Sequence, residues 1–418
     1  MTDYYHPKES QPSEQREQDL LSRLPEFISF AQANSDYYQT LLKGIDGQQV
    51  NTRAQLAQLP ITRKSDLLRL QKQQPPLAGL NTHTGNISRI FQSPGPIYDP
   101  ENCQKDWWRM GQAFFAAGFR AGDIIQNCLS YHLTPGGFIL DSGARACECI
   151  VIPAGPGQTA QQLDIIEDLT PKGYCGTPSF LKILIDKATD QKRNISSITK
   201  ALVTGEALPS ALRAEFSAAG INVLQAYASA DVGLIGYESI ADDGLIISED
   251  LIVEIVRPGS LTPVADGEIG EVVVTSFNRD YPLIRFATGD LSAVKAGESA
   301  CGRSNMRIKG WLGRADQTTK VKGMFVHPEQ IERVRQSVNG INKVRLVVTQ
   351  EAHKDQMHLL CECNEHDMNN EKNTLLAALT TNLQQFTKLN GSVELVAIGT
   401  LNDDGKVIDD QRVISPTP

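Results

Sequence analysis

Cysteine is scarce in this sequence: eight residues in 418, too few for a scaffold stapled by disulfides. Long apolar runs are absent as well. No stretch of about 18 consecutive apolar residues occurs, which excludes a membrane-spanning helix of ordinary length. An excess of positive charge is missing too, with 40 Lys and Arg against 49 Asp and Glu, a net charge of −9. That excludes a global basic footprint for nucleic acid. Internal repeats and low-complexity tracts do not occur. What remains is an ordinary globular composition, 40% hydrophobic and 21% charged, with length enough for two or three domains. Met1–Asp19 is polar and lacks an apolar segment, so no secretory signal is expected. With so few cysteines, the expectation is a reducing cytoplasm.

Two cysteine pairs are close in sequence, Cys147 with Cys149 and Cys361 with Cys363. A C-x-C pair could supply two zinc ligands. No further pair at zinc-finger spacing completes a four-ligand set. In the run Met357–Cys363 alternate residues share a face, where free cysteine behaves as a small hydrophobe. Structural cysteines are the expectation.

Apolar spacing divides the chain. Leu20, Leu21, Leu24, Phe27, Ile28 and Ala31 recur at helical intervals, and Tyr37, Tyr38, Leu41 and Leu42 extend the helix over 14–43. Ser93-Pro94-Gly95-Pro96 must be loop. From 105 to 235, helical runs (105–119, 158–168, 178–189, 209–219) alternate with short apolar runs at 124–125, 150–152, 201–203 and 223–224. That alternation predicts an α/β domain with a mostly parallel sheet covered by helices. Residues 245–295 are β-rich with Pro/Gly turns, a small antiparallel subdomain. From about Arg314 a smaller α+β pattern follows: helices near 328–338 and 371–386, strands near 344–349, 357–363 and 393–398. Gly310–Gly313 reads as the linker. The expected division is 1–312 and 313–418.

Four segments carry the chemistry. Thr204-Gly205-Glu206-Ala207 follows an apolar run, where a glycine at a strand's end lets a flat ligand approach. Tyr227–Asp231, Tyr281–Asp290 and Gly313–Gly323 come next, and Asp403-Asp404-Gly405-Lys406 stands near the end. Each has a plain alternative. Gly289-Asp290 and Asp404-Gly405 are turn dipeptides, and Lys406 alone reads as a solvated lysine. His132, in Tyr131–Gly137, could bind a carboxylate or be a core histidine bonded to backbone; both readings stand.

In this order and spacing the segments resemble the adenylate-forming superfamily, and within it the phenylacetate–CoA ligase family. The resemblance runs from about residue 35 to 412. It includes Leu59–Leu67, Ile152–Thr159 and Gly176-Thr177-Pro178-Ser179. It implies a two-step reaction. A carboxylic acid, an aryl acid among the candidates, attacks the α-phosphate of ATP to give an acyl-adenylate. A thiol, usually of coenzyme A, then displaces AMP. Positioning and charge stabilisation dominate both steps.

The resemblance implies roles residue by residue. Gly205, Glu206 and Tyr227 lie beside the adenine. Asp290 holds the ribose hydroxyls, for which a carboxylate is a good acceptor. Arg314 contacts ribose or phosphate. Asp231 contacts Mg²⁺. Lys406 reaches the α-phosphate as a mobile point charge. Ser93 and Gly95 belong to the phosphate loop, His132 to the acid pocket, and Asp316 to the hinge of a mobile C-terminal domain. The ATP site is expected between the two domains. The implied cofactors are ATP, Mg²⁺ and coenzyme A. The partners are a carboxylic acid and coenzyme A or a carrier-protein thiol, with a homodimer left open, and neither nucleic acid nor a membrane span.

The sequence also departs from the pattern. The phosphate loop of the superfamily reads roughly S-S-G-T-T-G-K-P. Here Phe91–Tyr98 keeps one Ser and one Gly, lacks the Thr pair and the Lys, and holds two prolines without N–H donors. Ala230 stands for Thr and Ala228 for Gly. A carrier-protein-loading enzyme and a non-catalytic nucleotide-binding relative are therefore the alternatives.

Overall fold

The computed structural model describes residues 4–83, 85–93, 96–321, 324–351, 354–364, 371–402 and 406–412. It forms two compact units. The first comprises Met1–Thr288 and Ser292–Trp311, the second Gly289–Leu291 and Leu312–Pro418.

Fifteen strands are described in the first unit: β1 (Thr62–Arg63), β2 (Ile87–Ser93), β3 (Ile97–Asn102), β4 (Ile124–Asn127), β5 (Ile150–Pro153), β6 (Gly173–Gly176), β7 (Lys200–Val203), β8 (Asn222–Ser229), β9 (Gly233–Tyr237), β10 (Leu245–Ile247), β11 (Leu251–Val256), β12 (Gly270–Ser276), β13 (Leu283–Ser292), β14 (Val294–Lys295) and β15 (Arg307–Ile308). Nine of them make one sheet, in the order β14-β15-β10-β9-β8-β7-β6-β4-β5. The run β5-β4-β6-β7-β8 is parallel. The rest of the sheet is antiparallel. The predicted crossover helices are present as Thr159–Leu169, Pro178–Asp190 and Ser210–Ala218. β6 was not legible in the pattern, because Gly173-Tyr174-Cys175-Gly176 has glycine at both ends.

Two predicted helices are shorter than their spacing suggests. The run over 14–43 breaks at Ser35, whose hydroxyl donates to Gly79 O at 2.7 Å and accepts from Tyr38 N. In 105–119 only Gly111–Ala116 is helical. Asp106 and Arg109 adopt left-handed φ of 54° and 63°. The Asp106 carboxylate instead accepts the Gly111 N–H at 3.0 and 3.1 Å.

A second sheet, β1-β13-β12-β11, is the β-rich part. Arg285 on β13 is wholly buried. It pairs with Glu254 and donates to the carbonyls of Ala57 and Leu59 at 2.7 Å. This clamp fixes the Leu59–Arg63 stretch, so that β1 lies parallel to β13 with Thr62 opposite Phe286. β2 and β3 form a hairpin.

The second unit has strands β16 (Thr319–Val321), β17 (Met324–Val326), β18 (Ile341–Glu351), β19 (Lys354–Cys363), β20 (Ser392–Ala397) and β21 (Ile408–Asp410). Its main sheet has the order β20-β19-β18-β21. Helices Pro328–Gln336 and Lys372–Thr387 share a core with it, built from Ile331, Val334, Leu346, Leu359, Leu379 and Leu383.

None of the eight cysteines is in a disulfide, and only Cys103 is exposed. Burial pushes the Cys147 and Cys361 thiols up to about 12, which keeps them protonated and inert. Among the described residues no group of three or more His, Cys, Asp or Glu is placed to hold a metal, and no helix is long and apolar enough to cross a membrane.

Candidate active site

In an open parallel sheet, ligands collect beyond the carboxyl ends of the strands where the strand order reverses. Here β4 runs to β5 on one side and the chain then returns to β6 on the other. The loops leaving the parallel strands β4, β6, β7 and β8 therefore lie at one end of the sheet. They are Cys128–Pro135, Thr177, Thr204–Pro209 and Ala230–Val232. The sheet thus gathers the Tyr131–Gly137, Gly176–Ser179, Thr204–Ala207 and Tyr227–Asp231 segments, which are far apart in sequence.

The contacts are specific. Thr204 N donates to Gly176 O at 3.0 Å, and Glu206 Oε2 accepts from Ser179 N at 3.3 Å. Gly205 has φ +83°, and the nearest atom to an added Cβ would be 3.8 Å away, so a ligand can approach its backbone. Tyr227 Oη donates to Thr288 Oγ1 at 3.2 Å, which donates in turn to Val272 O at 3.1 Å. The His132 ring is exposed, which sets aside the buried, backbone-bonded alternative. Its backbone N–H donates to Ser130 Oγ.

Asp231 is buried between β8 and β9. Lys64 Nζ donates to its Oδ2 at 2.5 Å. Lys64 opens the helix Lys64–Gln73 directly after β1, so the Arg285 clamp sets its position. Gly233 is required two residues later: its φ is +79°, and a Cβ would lie 2.7 Å from Trp108 O. Beside Asp231 stands Asp99 on β3, fully buried. Its carboxyl is within hydrogen-bonding reach of Ser93 and of Asp231, and Lys64 is its nearest positive charge. Burial first, and the Asp231 charge second, push the Asp99 carboxyl well above the usual carboxylate range. Ser93 is buried, its hydroxyl 3.4 Å from Ile97 O. Gly95 and Pro94 lie outside the described residues.

The second unit holds the remaining candidates. Arg314 Nη1 donates to Asp290 Oδ1 at 3.1 Å. The guanidinium covers Gly289, where a Cβ would meet Nη2 at 2.6 Å, and φ there is +79°. Glycine is the residue that allows this approach. Asp316 lies in the 3₁₀ turn Ala315–Gln317. Lys406 is half-exposed, 3.6 Å from Asp409. Asp403-Asp404-Gly405 falls outside the described residues.

Lys64, Asp99 and Tyr281 had no role in the reading of the sequence. Asp99 had a signal: in β3 alternation puts it on the face of Ile97, where a charge is unexpected. Lys64 lies in the Leu59–Leu67 stretch that carries the resemblance, but its pairing had no signal, since its partner is 167 residues away.

Comparison with known proteins follows the same outline. The family model for the AMP-binding enzyme matches residues 108–278, and that for the AMP-binding enzyme C-terminal domain matches 323–414. The phenylacetate-coenzyme A ligase of Thermus thermophilus is 27% identical over 363 residues, 82% of this chain and 80% of the relative. That of Pseudomonas putida is 28% identical over 384 residues, 86% and 85%. Among solved structures, an open conformation of 2-hydroxyisobutyryl-CoA ligase in complex with 2-HIB-AMP and CoA aligns at a TM-score of 0.84. The identity is 21%, covering 97% of this chain and 94% of that one. Anthranilate CoA ligase in complex with anthranoyl-AMP aligns at 0.57, with 16% identity over 78% and 66%.

Proposed function

We propose that the chain, which matches the AMP-binding enzyme family over residues 108–278 and that family's C-terminal domain over 323–414, is an acid–thiol ligase. It activates a carboxylic acid with ATP and passes the acyl group to the thiol of coenzyme A. The observation that carries this reading is that four motif-bearing loops leave the same end of the parallel strands, with the buried Asp231 carboxylate beside Lys64.

In the first step a carboxylate oxygen attacks the α-phosphorus and the bond to pyrophosphate breaks. In the second, the thiol sulfur attacks the acyl carbon and AMP leaves. Gly205, Glu206 and Tyr227 flank the adenine, Asp290 accepts from the ribose hydroxyls, and Arg314 orients Asp290 and meets the phosphate side. Lys406 neutralises charge at the α-phosphate. Ser93 and Gly95 border the phosphates, and His132 faces the acid. Asp231 is the residue that would hold Mg²⁺, as a hard oxygen donor beside Lys64. When bound, Mg²⁺ offsets the charge of the phosphates. Asp316 is the hinge between a domain of residues 1–312 and a mobile one of residues 313–418. The disulfide-free, mostly buried cysteines support a place in the cytoplasm.

The loop Phe91–Tyr98, poor in donors, favours a second reading, a nucleotide-binding relative without ligase activity. One assay separates them: pyrophosphate release with ATP, Mg²⁺, coenzyme A and a panel of acids that includes phenylacetate, anthranilate and 2-hydroxyisobutyrate. Acid-dependent release, with acyl-CoA seen by mass, is expected. AMP binding without release on any acid would replace the ligase reading with the second.

A further inference from the structure

We propose that Arg109 is a positioning residue for the adenylation step: its guanidinium holds the β8–β9 turn and, through the turn, sets where the Asp231 carboxylate stands. The inference deepens the ligase reading and rests on it for the step that Arg109 serves.

The turn needs holding. β8 and β9 are antiparallel, and their register shifts between Tyr227, opposite Gly236, and Ala228, opposite Leu234. Ile235 is thus left over on β9, which makes a β-bulge, and bulges re-aim the side chains around them. The bulge lies between Tyr227 and the tip that carries Asp231. Arg109 and Trp108 grip that tip. Arg109 Nη2 donates to Val232 O at 2.5 Å and to Leu234 O at 3.4 Å, the two carbonyls that flank Gly233. Trp108 O accepts the Leu234 N–H at 2.9 Å. Val232 N donates in turn to Ser229 Oγ at 3.1 Å. Both backbone groups of Val232 are therefore fixed, and Asp231 is the residue joined to it.

The segment that supplies Arg109 gives up helix to do so. Its apolar spacing is helical, yet Asp106 and Arg109 take φ of 54° and 63°, a conformation that residues with a side chain seldom adopt. Arg109 N donates to Asp106 O at 2.8 Å, and the Asp106 carboxylate takes the Gly111 N–H, so the irregular path is itself hydrogen-bonded. Gly233 answers it from the other side, since a Cβ there would lie 2.7 Å from Trp108 O. Charge strengthens the grip. Burial pulls the Arg109 guanidinium down to about 10, against the Asp106 and Asp250 carboxylates, so it is cationic at neutral pH and its bonds to the carbonyls are charge-assisted.

The test uses the full chain with Arg109→Met, which keeps a long stem and loses the donors, and Arg109→Lys, which keeps the charge. Acyl-adenylate formation in single turnovers should fall at least tenfold in Arg109→Met, about 1.4 kcal/mol or more, and less in Arg109→Lys. A cycle with Asp231→Asn separates positioning from general stabilisation. If Arg109 acts through Asp231, Arg109→Met should cost no more than about twofold once Asp231 is Asn, because residues that act as a unit are not additive. An undiminished tenfold cost in that background would overturn the proposal, as would an Arg109→Met rate within about twofold of wild type. Should Arg109→Met fail to fold, Arg109→Lys decides by the same cycle: a coupled loss supports the proposal, and an additive loss or none overturns it. Crystal structures read the turn without any activity. In the folded variant the Asp231 backbone should stand at least about 1 Å from its wild-type place, a shift large enough to matter in catalysis. An unmoved turn, in a wild type that makes acyl-adenylate, would sink the role of Arg109 and leave the ligase reading. A displaced turn, in a protein that releases no pyrophosphate with any acid, would sink the ligase reading and leave Arg109 as the anchor of the turn.

Discussion

Tyr227, Asp290 and Arg314 are held by hydrogen bonds made within the protein, to Thr288 and to one another. Asp99, Asp231 and Tyr281 form a buried acidic group instead, in which Asp231 Oδ2 accepts from Lys64 and Asp99 is in reach of Ser93 and Asp231. The first group serves the nucleoside in the proposed function, the second the phosphates. The difference teaches how each kind of site announces itself. A residue that is oriented in advance by its neighbours needs a particular residue type at a particular spacing, and so leaves a motif. A residue whose partners are brought together only by burial, as at Asp99, leaves a weaker trace, although Asp231 lies in a motif as well. The strongest test of this contrast is Lys406, which combines a motif position with a half-exposed, loosely paired ammonium group. Lys406→Ala should slow acyl-adenylate formation by about a thousandfold, near 4 kcal/mol of lost transition-state stabilisation. Thioester formation from synthetic acyl-adenylate should change far less. Equal loss in both half-reactions, measured in single turnovers, would remove Lys406 from the α-phosphate.

The same contrast explains what the sequence made legible. The parallel strands and their helices could be read because apolar runs of strand length alternate with helical spacing over 105–235. The strand Gly173–Gly176 escaped because two of its four residues are glycine, and the helix over 105–119 was overdrawn because left-handed φ at Asp106 and Arg109 does not interrupt apolar spacing. At the site, Gly205, Tyr227, Asp231 and Asp290 could be named from short motifs. Lys64 could not, since its position depends on Arg285 holding the carbonyls of Ala57 and Leu59, more than 220 residues away in sequence.

Asp290 tests the nucleoside side directly. Asp290→Ala removes the acceptor proposed for the ribose and leaves Arg314 without this ion-pair partner. AMP and ATP binding should weaken by roughly 2–3 kcal/mol, the scale of hydrogen bonds to a charged group. Calorimetry would show it, and unchanged affinity in a folded variant would reduce Gly289-Asp290 to a turn. Asp316→Pro should act on one half-reaction. Its backbone lies in a 3₁₀ turn, where φ near −65° is ordinary, so proline fits this arrangement and bars others. Thioester formation should fall at least tenfold while adenylation stays within about tenfold, 1.4 kcal/mol. Stopped-flow assays of each step would check this, and full retention of both would move the hinge elsewhere.

The smallest expected effect sharpens the comparison most. If Tyr227 is oriented by the protein rather than by the ligand, its hydroxyl serves the scaffold and its ring serves the adenine. Tyr227→Phe then deletes only the bond to Thr288, whose hydroxyl keeps its own bond to Val272 O at 3.1 Å. A neutral hydrogen bond of this kind contributes about 0.5–1.5 kcal/mol, so AMP affinity should fall less than about tenfold. Tyr227→Ala removes the ring as well, and should weaken binding further by the loss of aromatic contact area. Calorimetric titration of AMP against the two variants measures the split between ring and hydroxyl. A loss above a hundredfold in Tyr227→Phe would mean that the hydroxyl itself contacts the nucleotide. Tyr227 would then be a group whose place depends on what is bound.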